Sequence, residues 1–332
     1  MDAAADPVSP TGRDWIPAQV RWAPEGALVD WCHLGDLRFT APFFEQTITA
    51  AMAHPFNLLF GVTTGLDALP PASFELRPAG LIFHMSRCGS TLASRMLAAL
   101  PRNVVLSEPV PLDQVLRAPA GLPHVSAERI VGWLRAVTAA LARRRHADER
   151  NLVIKFEGWH ALVLPIIRRA FPEVPWAFLY RQPIEVLVSI AALRSRQALP
   201  NGIDPALVGL SLRQAVAMSL DLYAAVALER ICRAAIEHHR ASNGLLIEYR
   251  ELPEAIPDRL LPHFGLECDA DGLARMREVA RFDAKQPSLP YADDSAAKRR
   301  AASPEIHALA GTMLAPLYDE LEQLRAKQNA GG

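Results

Sequence analysis

The stretch that decides the fold is residues 79–92, Ala-Gly-Leu-Ile-Phe-His-Met-Ser-Arg-Cys-Gly-Ser-Thr-Leu. Its first half is an apolar run, which predicts a buried β-strand over residues 80–84. Its second half is a turn around Gly89, and a helical pattern begins at Ser90. The backbone N–H groups of such a turn and of the helix start point at one spot, where the helix dipole favours negative charge. The stretch therefore predicts a strand, an anion-binding turn and a helix.

Four more short apolar runs follow this unit and alternate with helical patterns, which is typical of parallel strands covered by helices on both faces. The sequence therefore predicts an α/β fold in three layers, with a central, mainly parallel five-stranded sheet flanked by helices. The predicted strands are residues 80–84, 103–107, 152–156, 176–180 and 245–249. The predicted helices include residues 90–100, 126–145, 183–194, 207–240 and 304–326.

Residues 1–78 do not continue this alternation and are rich in aromatic side chains. We interpret them as an N-terminal extension packed on the α/β domain, which spans residues 79–332. Binding pockets in such folds are often built from loops and from additions to the sheet. The extension therefore either lines a pocket or packs only on the core, and the sequence leaves both interpretations open.

The composition excludes several classes of protein. With 332 residues, of which 50% are hydrophobic, the chain can bury a large core, which excludes a disordered chain and a small disulfide-stapled scaffold. The net charge of −1 gives no indication of a nucleic-acid or membrane partner. The four cysteines form no C-x-x-C pair, so neither a zinc site nor a disulfide framework is expected. Because no spanning segment or secretory signal is visible, we expect a cytoplasmic location.

Each residue of the turn has a chemical reason to hold an anion. Gly89 permits the close approach of a phosphate, Ser90 and Thr91 add hydroxyl donors, and Arg87 adds a planar cation, while Cys88 is small enough to fit between them. A nucleoside-triphosphatase loop needs a Lys directly after its second Gly, and here that position is a Ser. ATP hydrolysis is therefore disfavoured. The alternative interpretation is an ordinary strand-turn-helix connection with a capping serine.

Residues 84–92 resemble the 5′-phosphosulfate loop of the sulfotransferase family, whose members use 3′-phosphoadenosine 5′-phosphosulfate (PAPS). A second stretch, residues 179–189, resembles the family's 3′-phosphate motif, because Arg181 and Ser189 stand eight residues apart after a predicted strand. The resemblance covers about residues 79–300 and implies a P-loop-type sulfotransferase domain. It also implies that Arg181 and Ser189 bind the 3′-phosphate and that the turn binds the 5′-phosphosulfate.

Sulfuryl transfer needs cations for the leaving group and a base for the acceptor hydroxyl. Glu108 follows the second predicted strand, 21 residues after Arg87, in a layout that resembles the branch of the family that includes protein-tyrosine sulfotransferases, where a Glu is the general base. Glu157 is the reserve base. Cytosolic members of the family place a catalytic His two residues after a strand Lys, and here Glu157 stands two residues after Lys155. The choice between the two carboxylates stays open.

Two lysines complete the predicted site. Lys155 ends the third strand, where it can stabilise charge on the bridging oxygen as sulfur leaves. A lysine in an apolar strand needs an anion, and Glu157 is the partner closest in sequence. Lys298 lies in the charged stretch 293–300, and many sulfotransferases cover the nucleotide with a late basic loop. The family's R-K-G-x-x-G signature is absent here, so a solvated charge run is the alternative to a nucleotide-binding role for Lys298.

The sequence thus predicts a PAPS-dependent sulfotransferase that transfers a sulfuryl group, without a metal, to a hydroxyl of a small-molecule, carbohydrate or peptide acceptor. One alternative is an ATP-dependent, kinase-like transferase, which would require Mg²⁺. The other is a non-catalytic nucleotide-binding module. No motif identifies the acceptor or the oligomeric state.

Overall fold

Eight β-strands form two sheets in the described part of the computed structural model, which comprises residues 12–23, 26–122, 124–242 and 244–330. The strands are β1 (Trp15–Ala23), β2 (Gly26–His33), β3 (Val62–Gly65), β4 (Arg77–His84), β5 (Asn103–Ser107), β6 (Asn151–Lys155), β7 (Trp176–Tyr180) and β8 (Leu245–Glu248). Strands β4 to β8 form the central sheet in the order β5-β6-β4-β7-β8, and each neighbouring pair is parallel. The predicted α/β fold with a parallel five-stranded sheet is confirmed.

The strand order places the carboxyl end of β4 at a switch point. From β4 the chain passes to the edge strand β5 and returns through β6, whereas β7 and β8 lie on the other side of β4. In open α/β sheets, ligands bind outside the carboxyl ends of the strands at such a point. The turn that follows β4 therefore lies where this fold binds its ligands.

Helices flank the central sheet. No helix among the residues that the structure describes is long and apolar enough to span a membrane. The helices are α1 (Phe44–Met52), α2 (Pro55–Leu59), α3 (Ser90–Ala98), α4 (Val110–Leu116), α5 (Ala118–Gly121), α6 (Ala127–Leu141), α7 (Leu164–Ala170), α8 (Pro183–Ala192), α9 (Leu212–Ala217), α10 (Leu220–Ser242), α11 (Leu261–His263), α12 (Ala270–Ala280), α13 (Ser295–Ala301), α14 (Pro304–Leu309) and α15 (Ala315–Ala330).

The predicted single helix over residues 207–240 is wrong, because the structure divides it into α9 and α10. Met218 lies between the two helices with an extended backbone (φ −83°, ψ 155°). The Oγ of Ser219 then accepts the N–H of Leu222 at 3.1 Å, which is the contact by which a serine begins a helix. The predicted helix over residues 304–326 contains one wide turn, Ala310–Leu314, and ends at Ala330.

The N-terminal segment forms an antiparallel sheet of its own, in the order β1-β2-β3. Strand β1 packs on α4 and α6 of the α/β domain. The backbone N–H of Val20 donates to Oε1 of Gln114 at 2.6 Å, and the rings of Trp22 and Trp133 lie 5.6 Å apart. Residues 1–11 of the proposed extension lie outside the described residues.

Candidate functional site

The turn between β4 and α3 has a strained backbone. Ser86 and Arg87 have left-handed φ values of 79° and 52°, which non-glycine residues rarely adopt, and Gly89 has φ 81°. The Nδ1 of His84 accepts the N–H of Ser86 at 3.0 Å and so holds the turn. Gly89 is the N-cap of α3 and has no side chain to cap the first N–H groups of the helix. These groups can therefore bind an anion.

A cleft of about 560 Å³ opens at this turn. Phe43 and Glu45 of the N-terminal segment line it beside the α/β domain, so the extension contributes to this cleft as well as packing on the core. Ten residues singled out from the sequence line the same cleft: Arg87, Cys88, Gly89, Ser90, Thr91, Glu108, Glu157, Arg181, Ser189 and Lys298.

Cys88 lines the cleft, but its thiol is directed elsewhere. The Sγ donates to the carbonyl oxygen of Leu179 in β7 at 3.1 Å. The side chain is fully buried, and burial raises the pKa of the thiol to about 12. Because the thiolate is the reactive form, the raised pKa and the contact with Leu179 disfavour a nucleophilic role for Cys88.

Glu108 lies directly beside Lys155. In the register of the parallel pair β5–β6, Ser107 is opposite Lys155, and the N–H of Glu108 donates to the carbonyl of Lys155 at 2.7 Å. The Lys155 Nζ is 2.6 Å from Oε1 of Glu108 and 3.3 Å from Oγ of Ser107. The expectation that Glu157 would be the partner of Lys155 is wrong, because β6 ends at Lys155 and Glu157 begins the next turn, Gly158–Val163.

The environment of Glu108 keeps its carboxylate ionised. Burial by itself would raise its pKa, but the Lys155 ammonium and the His84 ring outweigh burial and hold the pKa well below its usual value. The His84 Nε2 lies 3.4 Å from Oε1 of Glu108. Since Nδ1 of this ring accepts a backbone N–H, Nε2 carries the proton of the neutral imidazole. His84, to which no role was assigned from the sequence, thus connects the turn to the carboxylate.

Lys155 does not itself line the cleft. It is fully buried behind Glu108, and its Nζ lies 5.0 Å from the centre of the Phe43 ring, a cation–π distance. The lysine therefore acts on the cleft through Glu108.

The second carboxylate, Glu157, has the opposite electrostatic environment. Burial and the negative charge of Asp113 raise its pKa. The Arg196 Nη1 lies 3.6 Å from Oε1 of Glu157, too far for a direct hydrogen bond. The two candidate bases thus have pKa values displaced in opposite directions.

A buried carboxylate, Asp113, holds the Glu157 turn in place. Its Oδ1 accepts the Nε1–H of Trp159 at 3.0 Å and contacts His160 Nε2 at 3.1 Å, and its Oδ2 accepts from Arg196 at 3.0 Å. The Nδ1 of His160 accepts the N–H of Glu157 at 3.1 Å. No group of three or more His, Cys, Asp or Glu side chains in the described chain has the arrangement of a metal site. Asp113 could not be recognised from the sequence, because Trp159, His160 and Arg196 lie far from it along the chain.

The other end of the cleft is formed around Arg181, at the end of β7. Its guanidinium is buried and donates to Oε2 of Glu185 at 2.6 Å and to Oδ1 of Asp294 at 3.1 Å. The ring of Tyr249 lies 3.9 Å from its Cζ. Lys298 lies 2.6 Å from Oδ2 of Asp294, so Arg181 and Lys298, two of the three cations predicted for the nucleotide, contact one carboxylate.

Lys285 is a further cation of the cleft, and it was not predicted from the sequence. Its side chain is exposed overall but lines the cleft, where partial desolvation and the charges of Arg87 and Lys155 lower the pKa of the ammonium from 10.5 to about 8. It precedes the charged stretch 293–300, in which Lys298 was predicted to bind the nucleotide. An anion in the cleft would offset this repulsion between cations.

The chain is similar to several solved sulfotransferase structures. The sulfotransferase domain of the olefin synthase of Synechococcus PCC 7002 is 18% identical, with 78% of this chain and 97% of that chain covered and a TM-score of 0.42. The sulfotransferase STF9 of Mycobacterium avium is 13% identical (83% and 81% covered, TM-score 0.45). A sulfotransferase of Alicyclobacillus acidocaldarius is 14% identical (75% and 96% covered, TM-score 0.45). No protein-family model and no curated protein matches the sequence.

We expect Glu108 and Lys155 to be energetically coupled. Lys155→Met leaves a carboxylate unpaired, so the free energy of unfolding at neutral pH falls by about 3 kcal/mol. Adding Glu108→Gln removes the unpaired charge, so the double variant loses about 1–3 kcal/mol less than the sum of the single variants. Urea unfolding measures all three. Lys327→Met, an exposed control, changes the value by less than about 0.5 kcal/mol. Additive losses would contradict the coupling.

Proposed function

We propose that this protein is a sulfotransferase that transfers a sulfuryl group from PAPS to a hydroxyl group. The observation that carries the proposal is the meeting, in one cleft at the carboxyl edge of the sheet, of the anion-binding turn, Glu108 and Arg181. The turn suits a 5′-phosphosulfate, and Arg181 with Ser189 suits a 3′-phosphate. The Glu108 carboxylate lines the same cleft and is available to the acceptor. A cleft of this size accommodates a nucleotide.

The residues present fit a highly charged ligand. The first N–H groups of α3 have no side-chain cap, and the Lys285 ammonium is held among other cations. Nε2 of His84 is buried without a hydrogen-bond partner of good geometry. Each of these groups is stabilised by an anion in the cleft.

Glu108 acts as the general base in the proposed reaction. Its ionised carboxylate accepts the proton of the acceptor hydroxyl, whose oxygen then bonds to sulfur. PAPS supplies the sulfuryl group, and the bond between sulfur and the bridging oxygen breaks to leave adenosine 3′,5′-bisphosphate. Arg87 and the α3 N–H groups stabilise the negative charge that develops on the leaving phosphate.

The low pKa of Glu108 makes it a weak base in the ligand-free protein. Lys155 is the group that lowers it most strongly. An anion bound near Lys155 and Glu108 adds a second negative charge, which disfavours the ionised form of Glu108. Its pKa therefore rises towards the pH at which the enzyme would work. Glu157, whose pKa is already raised, is the alternative base.

The first test is a calorimetric titration with adenosine 3′,5′-bisphosphate. We expect metal-independent binding, and Arg181→Ala weakens it at least tenfold because a charged hydrogen bond to the 3′-phosphate is lost. Arg277→Ala is the matched control, since Arg277 is an exposed arginine of α12 that does not line the cleft. Binding of ATP only with Mg²⁺, and none of the bisphosphate, would support the kinase-like alternative instead.

The base is identified by comparing Glu108→Gln with Glu157→Gln. We expect Glu108→Gln to lower turnover by about 10²–10⁴-fold, the usual contribution of a general base, while bisphosphate affinity is kept. Release of adenosine 3′,5′-bisphosphate from PAPS, measured with a panel of phenols, sugars and tyrosyl peptides, gives the rate. Circular dichroism confirms that both variants fold. A loss of this size only in Glu157→Gln would assign the base to Glu157.

Lys285 gives the binding of the bisphosphate a dependence on pH. Its ammonium is charged below its pKa of about 8 and neutral above it. Affinity therefore falls as the pH rises from about 8 to the higher pKa that the bound anion induces. Titrations between about pH 7 and pH 9.5 measure this fall. Lys285→Met removes most of it, and Lys327→Met keeps it. A wild-type affinity independent of pH would contradict a role for Lys285.

A further inference from the structure

Asp294 occupies the position at Arg181 where the ligand's 3′-phosphate is expected. Its two carboxylate oxygens bridge the two cations, with Oδ1 at 3.1 Å from Arg181 Nη2 and Oδ2 at 2.6 Å from Lys298 Nζ. The neighbouring Ser295 Oγ accepts from the same Nη2 at 3.0 Å. Two carboxylate oxygens and one hydroxyl oxygen thus surround these cations as phosphate oxygens would.

Asp294 belongs to a covering segment, residues 281–301, that is held mainly by polar contacts at the rim of the cleft. The hydroxyl groups of Tyr291 and Tyr249 lie 2.9 Å apart, and Arg299 Nη1 donates to Oε1 of Glu185 at 2.6 Å. Helix α13 buries none of its residues. The segment's own side chains in these contacts are half-exposed, Tyr291 at 47% and Arg299 at 53%. Each contact therefore contributes little free energy, and the segment can separate from the cleft at low cost.

The remaining partner of Arg181 has a different character. Glu185 is one turn along α8, its side chain is 3% exposed, and it contacts the guanidinium at Nε. Asp294 is 52% exposed and contacts Nη2. Glu185 therefore orients the arginine permanently, whereas the contact from Asp294 is exchangeable with solvent and with other anions.

We propose that Asp294 is a specificity-determining residue that competes with the 3′-phosphate of the ligand for Arg181 and Lys298. The inference rests on the proposed function, because it assumes a nucleotide in the cleft. A ligand with a 3′-phosphate must displace the carboxylate or accept its repulsion. A ligand without this phosphate leaves Asp294 in place. Asp294 thus lowers the preference of the site for a 3′-phosphorylated nucleotide and eases its release.

The test compares adenosine 3′,5′-bisphosphate with adenosine 5′-monophosphate by calorimetry. Asp294→Asn removes the competing charge, so we expect bisphosphate affinity to rise about tenfold, a typical size for one charge-assisted contact. Monophosphate affinity changes less than about twofold, since that ligand does not reach Arg181. Asp293→Asn is the matched control: it makes the same charge change one residue earlier, at a carboxylate that bonds to Ser295 and not to Arg181.

The outcomes separate the inference from the proposed function. A rise in bisphosphate affinity specific to Asp294→Asn supports the competition. Equal or weaker binding by Asp294→Asn, with wild-type protein that binds the bisphosphate, overturns it, and weaker binding makes Asp294 part of the ligand site. An equal rise in Asp293→Asn also overturns it, because the effect is then one of overall charge. Absence of bisphosphate binding in every variant overturns the proposed function itself.

Discussion

Lys155 carries its ammonium at the end of a strand whose last four residues are buried, and a buried ammonium is stable only beside an anion. Glu108 supplies that anion from the neighbouring strand end at 2.6 Å. The backbone of Glu108 is left-handed (φ 56°), a conformation that is unfavourable for Glu and that the ion pair and its backbone hydrogen bond maintain. Phe43 reaches the same ammonium from the N-terminal segment. One charge therefore connects β5, β6 and the extension at the wall of the cleft.

The two properties that a general base needs are found on different carboxylates, Glu108 and Glu157. A base must be ionised before the reaction and must also hold the proton that it takes. Glu108 meets the first requirement because Lys155 holds its pKa low, and Glu157 meets the second because burial and Asp113 raise its pKa. Anion binding changes the balance at Glu108, since the ammonium then has two negative neighbours. In the proposed reaction, binding of PAPS thus raises the pKa of Glu108 and makes it a stronger base.

The sequence predicts those parts of the fold that depend on local signals. The strands are continuous apolar runs, and the turn around Gly89 has its own residue types, so both are recognisable without knowledge of the rest. Contacts between distant residues are different. The partner of Lys155 was expected at Glu157 because nothing local reveals the β5–β6 register that brings Glu108 into place. The break at Met218 was missed because the apolar spacing continues through it, although Ser219 is a capping signal.

The structure of the covering segment could not be predicted from the sequence. The reason also concerns the proposed competition of Asp294 with a phosphate. Residues 281–301 are polar and contain no strong apolar period, so their helix α13 forms only where Asp294 and Arg299 meet the acids and cations of the cleft. Structure that depends on such contacts is lost when another ion takes them over. Arg181 must keep its orientation in both states, and buried Glu185 provides for that. A fixed arginine with one permanent and one exchangeable carboxylate can admit a phosphate and release it without unfolding its own support.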